Sequence, residues 1–400
     1  MARLDYITAG ESHGPAMIAV VSGLPSDLPL DLEFVNAELA RRQAGYGRSG
    51  RQAIEKDQAE VLSGLRRGRT TGSPLTLLVR NRDSRLDDPA RTPPVSTPRP
   101  GHADLAGSIK HLTTDCRNIL ERASARETAA RVAAGAAARS LLRQVGIDAM
   151  AFVRSIAGIA CDTAVTVDAW AAVRDARNAS DTACPDPLAT ARQQDAIHRA
   201  KVDKTTVGGL IECHVFGVPP GIGGVMHWTD RLDARIAGAV MGVQAIKSVE
   251  IGLGRASADR PGHEVHDPIA FDPARRSASD LGFTRATNNA GGLDAGMSNG
   301  APIVLTAAMK PISTLLRGMP SVNLDTRQPA PSAYERSDVC AAPAASVVIE
   351  NVVAFEVARA LREKFGGDSL AEFLDQFHRY LDLARRLPLP NGAIDGAGPR

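Results

Sequence analysis

A chain of 400 residues with 44% hydrophobic content can bury a sizeable core, as one large domain or two closely packed ones, and is not composed like a disordered chain. Its 47 basic and 45 acidic residues leave a formal charge of +2, which excludes a broad nucleic-acid footprint but leaves room for a local basic pocket. Five scattered cysteines (Cys116, Cys161, Cys184, Cys213 and Cys340) form no CxxC pair. With no signal-like start and no apolar run long enough to cross a bilayer, they lead us to expect a cytoplasmic protein without membrane association.

Alternation and β-branching predict strands at 17–21, 75–79 and 208–215. A helix is expected at 31–43, with Leu32, Val35 and Leu39, and Phe34 beside them, as its buried stripe. Residues 44–51 are too glycine-rich and basic to continue it and read as a positively charged loop. The stretch 81–101, rich in proline, aspartate and arginine, reads as a long connection, which in a compact protein is often mobile or functional. The clearest helix is expected at 119–145, with Leu120, Ala129, Val132, Ala136 and Leu141 on its buried side and Gly146 as the stop. Residues 162–204 read as helix plus exposed connection. A helix at 232–244, a strand at 248–252 and a terminal helix at 370–383 follow. Strands and helices do not alternate as regular βαβ units, so the fold class is α+β with antiparallel sheet and small-residue-rich helices. Residues 1–386 are expected to form one large domain and 387–400 a flexible tail.

Several islands hold more glycine and polar residues than packing requires. The loop at 44–51 brings Arg48 and Arg51 beside Arg42 of the preceding helix; these are either a solvated charged surface or a site for phosphate or carboxylate, whose oxygen pairs match the guanidinium fork. His13, in GESHG at 10–14, and His102, in RPGHAD at 99–104, each sit in a glycine-bounded loop. Each is either structural or a proton donor or acceptor near neutral pH, and Asp104 either orients His102 or caps the next helix. ERASARE at 121–127 is either helix-surface salt bridging or, through its small Ala-Ser-Ala segment, a place where a flat ring or phosphate comes close. The run 288–300 offers backbone donors and side-chain amides, yet the chain has neither GxGxxG nor GxxxxGK[ST]. Zinc is a poor explanation, because the cysteines lack ligand spacing and His263 and His266 form no HExxH pattern, so no metal is expected. No GxSxG elbow supports a serine hydrolase. The residues alone leave a composite pocket for an anionic ligand, with two histidines and Asp338 as candidate proton-handling groups.

Taken in order, the islands resemble the chorismate synthase family over nearly the whole chain. The matching motifs are GESHG at 10–14, RRQAGYGRSGRQ at 41–52, RPGHAD at 99–104, LERASARETAARVAAG at 120–135, TNNAGGLDAGMSNG at 287–300, MKPIST at 309–314 and ERSDVC at 335–340. The resemblance implies a lyase of the shikimate pathway, serving aromatic amino-acid biosynthesis. Its reaction is an anti-1,4-elimination of phosphate from 5-enolpyruvylshikimate 3-phosphate to give chorismate. It also implies reduced FMN, needed without net redox change and regenerated by an external donor such as NADPH or a separate flavin reductase. A homotetramer and a β-α-β sandwich are implied as well.

Residue by residue, the resemblance makes His13 the proton donor to departing phosphate and His102 the group handling the proton of reduced flavin. Asp338 matches the family acid that helps the flavin N5 region accept the substrate proton. Arg42 and Arg48 match arginines associated with nucleotide binding, and a phosphorylated dicarboxylate substrate favours an anion-binding role for Arg48. The flavin pocket is expected at Arg122, Ala123, Ser124, Gln244, Ala245, Ala295, Lys310, Pro311, Ile312, Ser313, Thr314 and Arg336. The chain departs from many relatives in having Ala123 for a serine, Ala295 for a glycine and Ser337 for a histidine. Two other readings compete: a flavin oxidoreductase, which would consume reduced nicotinamide, and a silent flavin-binding scaffold, in which His13, His102 and Asp338 would be expendable.

Overall fold

The computed structural model describes residues 3–48, 56–335 and 338–389. Four strands near the amino terminus, β1 (Asp5–Ala9), β2 (Ala16–Ser22), β3 (Ala59–Ser63) and β4 (Leu75–Arg80), form an antiparallel sheet in the order β1-β2-β4-β3. The strict alternation read at 17–21 and 75–79 is what buries one face of this sheet, through Met17, Ala19, Val21, Leu75, Leu77 and Val79. A second antiparallel sheet is built from β5 (Asp148–Ile156), β6 (Ile159–Ala160), β7 (Gly209–Phe216), β8 (Ile246–Ile251) and β9 (Ile303–Met309), in the order β8-β9-β7-β5-β6.

Between the sheets lie two long helices, α4 (Thr128–Arg143) against the first sheet and α8 (Ala342–Phe365) against the second, packed on each other. The remaining helices named below are α1 (Leu32–Gln43), α2 (Asp104–Lys110), α3 (Arg117–Arg122), α5 (Trp170–Ala179), α6 (Pro187–Val202), α7 (Leu232–Met241) and α9 (Leu370–Arg385). This β-α-β layering is the sandwich the resemblance implied, and the antiparallel sheets and separate helices are the α+β class expected from the sequence. Both central helices are buried on almost every face, as a helix must be when sheet lies on either side. Close approach is made possible by Gly135 of α4: a Cβ there would stand 2.4 Å from the main-chain oxygen of Asn351 on α8.

Several boundaries moved. Asp31 is not helical but caps α1, its carboxylate accepting the main-chain N–H of Phe34 at 2.9 Å. The single helix expected at 119–145 is in fact two, because Ser124 takes an extended conformation (φ −63°, ψ 141°) and caps a short 3₁₀ turn. The helix expected at 232–244 stops at Met241, and Ala245 then turns through a left-handed φ of 68° into β8. The 162–204 region resolves into α5 and α6, while 81–101 is irregular throughout. β5, β9 and α8, the longest helix described, went unpredicted. Most of the expected tail, from residue 390 on, lies outside the described residues. Among those described, no helix is long and apolar enough to cross a membrane.

One group registers the central helices. Glu350 of α8 is buried, and its carboxylate accepts from Arg41 of α1 at 3.1 Å, Arg139 of α4 at 2.7 Å and Arg177 of α5 at 2.6 Å. Removing that charge leaves three guanidiniums buried without it, so Glu350→Gln is expected to lower stability by about 3–5 kcal/mol. A denaturant titration checks this; a loss below about 1 kcal/mol, the range of exposed pairs, would contradict it.

Candidate active site

A cavity of about 500 Å³ opens where the helical layer meets the irregular segments. Its floor is the amino-terminal part of α8, where Ala344, Ala345 and Val348 recur at helical spacing behind Ala341, the residue that precedes the helix. One wall is the break between α3 and α4, residues Ala123, Ser124 and Ala125. Val243, Gln244 and Ala245, from the turn after α7, and Lys310, Ile312, Ser313 and Thr314, from the segment after β9, form another part. These small side chains leave a broad apolar space, and the polar groups stand around it.

His13 lies in the connection between β1 and β2. Gly10 starts that connection with φ 108°, and any Cβ there would strike the Ala16 carbonyl oxygen at 2.2 Å, so only glycine fits. The main-chain oxygen of His13 accepts N–H groups from Arg85 and Leu86, which ties the loop to the 81–101 segment. Its imidazole Nδ1 stands 2.9 and 3.0 Å from the two carboxylate oxygens of Glu121 on α3. The same carboxylate accepts the His13 main-chain N–H at 2.9 Å. Burial alone would raise the Glu121 carboxyl, but the hydrogen bonds and charge of His13, with Arg117 behind, hold it below the ordinary carboxylate range. Beside it, Ser12 and Ser124 join hydroxyl to hydroxyl at 3.2 Å.

His102 repeats the scheme. Its Nδ1 is 2.5 Å from the Asp104 carboxylate, which is buried at the start of α2 and also takes Arg99 Nε at 2.8 Å and the Arg99 main-chain N–H at 3.1 Å. Thr314 fixes the far side of the guanidinium at 3.0 Å. Burial raises the Asp104 carboxyl, yet the hydrogen bonds from His102 and Arg99 and their charges outweigh it and hold it well below the usual range. Of the two readings of Asp104, orientation of the imidazole is the one its contacts make.

The cavity is strongly cationic. Arg42, Arg48, Arg85, Arg99, Arg126 and Lys310 line it, against the carboxylates of Glu335 and Asp338. Asp57, fully buried, holds two of the cations at once: Arg42 Nη2 at 2.6 Å and Arg126 Nη1 at 2.6 and 2.8 Å. Burial, opposed by Asp57 and aided by Arg126 and Arg48, draws Arg42 down to about 10, still charged at neutral pH. Arg48 meets Asp338 at 2.5 Å. Lys310 is likewise lowered, by burial and by the charge of Lys247. Four buried polar atoms in this lining, Arg42 Nε, Arg48 Nε, Arg85 Nε and Gln244 Oε1, have no hydrogen-bond partner among the described residues. Three orphaned donors on cations and one orphaned amide acceptor suit a ligand that carries both anionic groups and an N–H edge.

The family model described as chorismate synthase matches residues 4–361. The chain belongs to the chorismate synthase family. It is 49% identical over 398 residues to a chorismate synthase of Symbiobacterium thermophilum, covering 96% of this chain and 100% of that one. To a chorismate synthase of Pelobacter propionicus it is 50% identical over 396 residues, with the same two coverages. A solved structure titled "Crystal Structure of Chorismate Synthase" superposes with a TM-score of 0.77 at 38% identity, over 96% of this chain and 98% of that one. Family membership makes the chain a lyase of the shikimate pathway, in aromatic amino-acid biosynthesis.

The cavity gathers His13, His102, Asp338, Arg42, Arg48, Ala123, Ser124, Gln244, Ala245, Lys310, Ile312, Ser313 and Thr314 from the residues that the family resemblance singled out. Three others stand elsewhere. Arg122 turns to the end of β1, donating to Gly10 O and Thr8 O at 3.1 and 3.0 Å. Pro311 faces outward between Lys310 and Ile312. Ala295 is exposed at the tip of a hairpin between Leu293–Asp294 and Met297–Ser298, with a left-handed φ of 50° that glycine enters more readily than alanine. Arg51, Arg336 and Ser337 lie outside the described residues.

Sequence reasoning missed Asp57, Arg85 and the α8 floor, and saw Glu121 only as helix decoration. Nothing local marks Asp57 or Arg85, whose importance comes from distant partners, whereas α8 could have been found from its long, mostly apolar stretch, broken by Glu350, Asn351 and Glu356. Asp104→Asn is expected to cost about 2–3 kcal/mol at neutral pH. Because the folded carboxyl is depressed, that contribution is present above its unfolded value and is lost as pH falls through the folded one. Stability curves of the two proteins should therefore converge on acidification; a gap that widens would contradict the assignment.

Proposed function

We propose that this cavity binds 5-enolpyruvylshikimate 3-phosphate beside reduced FMN and eliminates phosphate to give chorismate. The observation that carries the reading is the pairing of two histidines, each backed by a buried carboxylate that an arginine also holds, within one cation-lined cavity. A phosphorylated dicarboxylate answers the surplus of cations, and the orphaned Nε atoms of Arg42 and Arg48 are the donors awaiting its oxygens.

The lining also fits a flavin. The alanines of α8 and of the 123–125 wall leave a flat apolar surface, Gln244 Oε1 offers an acceptor to a ring N–H, and Lys310 offers a charge to a carbonyl edge or phosphate. Reduced FMN, when bound, lends electron density to phosphate departure and is recovered as the diene forms. What the chain supplies is binding, orientation and proton handling. His13 gives a proton from Nε2 to the phosphate oxygen as the C–O bond breaks, and its Nδ1 stays on Glu121. His102 keeps Nδ1 on Asp104 and so exchanges protons through Nε2. Asp338, paired with Arg48, serves the side where the C–H bond breaks. Ser124, linked to Ser12, keeps one hydroxyl at the wall where Ala123 offers none. An external donor, NADPH directly or through a separate reductase, a homotetrameric assembly and a cytoplasmic setting complete the reading.

Under anaerobic conditions with chemically reduced FMN, the protein is expected to release one phosphate per chorismate formed without net flavin oxidation. Consumption of reduced nicotinamide with no phosphate released would instead support an oxidoreductase, and flavin binding without either would support a silent scaffold. His102→Ala should lower turnover by about 100-fold or more with little change in melting temperature. Near-unaltered turnover in the folded variant would remove His102 from the mechanism.

A further inference from the structure

The two contacts that Glu121 makes with His13 are of different kinds, and together they do more than hold a side chain still. One carboxylate takes both the main-chain N–H and the ring Nδ1 of the same residue, across 108 positions of sequence. An ionised carboxylate accepts and never donates, so Nδ1 must carry a hydrogen whenever this contact exists. Proton exchange is thereby confined to Nε2, whatever the charge of the ring. On that side stand Arg85, whose Nη2 is 3.3 Å from Nε2, and Asp83, whose Oδ2 is 3.9 Å away. Arg85 and Asp83 thus set charges of opposite sign on the Nε2 side, while Glu121 sets a negative charge against Nδ1. Arg117 grips the outer side of Glu121 at 3.4 Å and reaches Glu335 at 3.1 Å, which keeps the carboxylate in place.

We propose that Glu121 is the positioning residue for the proton donor of this reaction: it fixes the Nδ1–H form of His13, aims Nε2 into the cavity and stabilises the protonated ring that departing phosphate requires. The step balances. The C–H bonding pair becomes a new π bond as the ring double bond shifts, the C–O bond breaks with its electron pair passing to the phosphate oxygen, and that oxygen takes the Nε2 proton; the carbon-bound proton leaves on the Asp338 side, and His13 is left neutral with Nδ1–H still on Glu121. Glu121 stays ionised throughout, as the orienting acid of a histidine pair does. The proposal rests on the reading of His13 as the donor to phosphate.

Glu121→Gln in the flavin-loaded protein tests it. The amide keeps the shape but loses the charge, so kcat for phosphate release is expected to fall about 10- to 100-fold with KM within about threefold. The loss of activity on raising pH should move to lower pH, because the variant no longer holds a negative charge against the ring. Glu121→Asp keeps the charge and should keep the position of that limb while losing rate. Combined with His13→Ala, Glu121→Gln should cost nothing further. A folded Glu121→Gln protein with an unmoved pH limb, or a double variant with additive losses, would overturn the proposal. Nitrogen-15 NMR of labelled histidines in the unaltered protein gives an answer even if the variants do not fold. Across roughly pH 5 to 8, His13 Nδ1 should stay protonated while Nε2 titrates, and the reverse order would be decisive against it. This readout needs no turnover, so failure of the unaltered protein to release phosphate counts against the proposed reaction and not against the Glu121 contact.

Discussion

Glu350 sits within the longest helix, out of reach of solvent, and three arginines from three other helices close on its two oxygens. Glu38 and Asp148 join them, so that three carboxylates balance three guanidiniums in the buried cluster. Burial raises the Glu350 carboxyl, but Arg41, Arg177 and Arg139 outweigh it and hold it far below its ordinary range. Such a cluster is weak evidence of added stability compared with well-packed apolar side chains. Its consequence here is geometric: α8 cannot rotate or slide without abandoning buried charge. The face of α8 carrying Ala344, Ala345 and Val348, with Ala341 just before the helix, is therefore fixed as the cavity floor, and the contact of Gly135 with Asn351 sets how near α4 can stand.

The same logic, a carboxylate held in place by cations, recurs nearer the chemistry. Glu121 is placed by Arg117 and in turn places His13; Asp104 is placed by Arg99 and in turn places His102. Asp57 does the converse, one buried carboxylate spacing Arg42 and Arg126. Adjacent residues of α1 divide the labour, since Arg41 turns into the buried cluster and Arg42 toward the cavity. The cavity thus keeps excess positive charge while its individual groups are held in fixed orientations, the condition under which electrostatic preorganisation favours charge development on a leaving group.

How much of this could be read from the chain depended on whether a feature was local. GESHG and RPGHAD stood out because glycine and proline must surround a backbone that turns sharply, and both loops do line the site. The alternation in β2 and β4 was legible because one face of that sheet is buried and the other is not. β5 was harder, being buried along nearly its whole length and so lacking a period of two. The break at Ser124 was hidden by the alanine-rich helix pattern on either side, and only the cap that Ser124 makes to Arg126 reveals it. Asp57 and the service of Glu121 to His13 depend on pairs 15 and 108 residues apart, which one sequence does not announce. The collinear family motifs supplied roles for the islands that their residue types alone had left open.

The central claim is that His13 and the orphaned arginine donors face the phosphorylated substrate while the alanine floor and Gln244 face the flavin. A crystal structure with oxidised FMN and 5-enolpyruvylshikimate 3-phosphate bound together tests it most directly. The account predicts a phosphate oxygen within hydrogen-bond reach of His13 Nε2, substrate carboxylates on Arg42 and Arg48, and a ring N–H of the flavin on Gln244 Oε1. A phosphate seated at Lys310 and His102, with His13 touching no ligand, would contradict it.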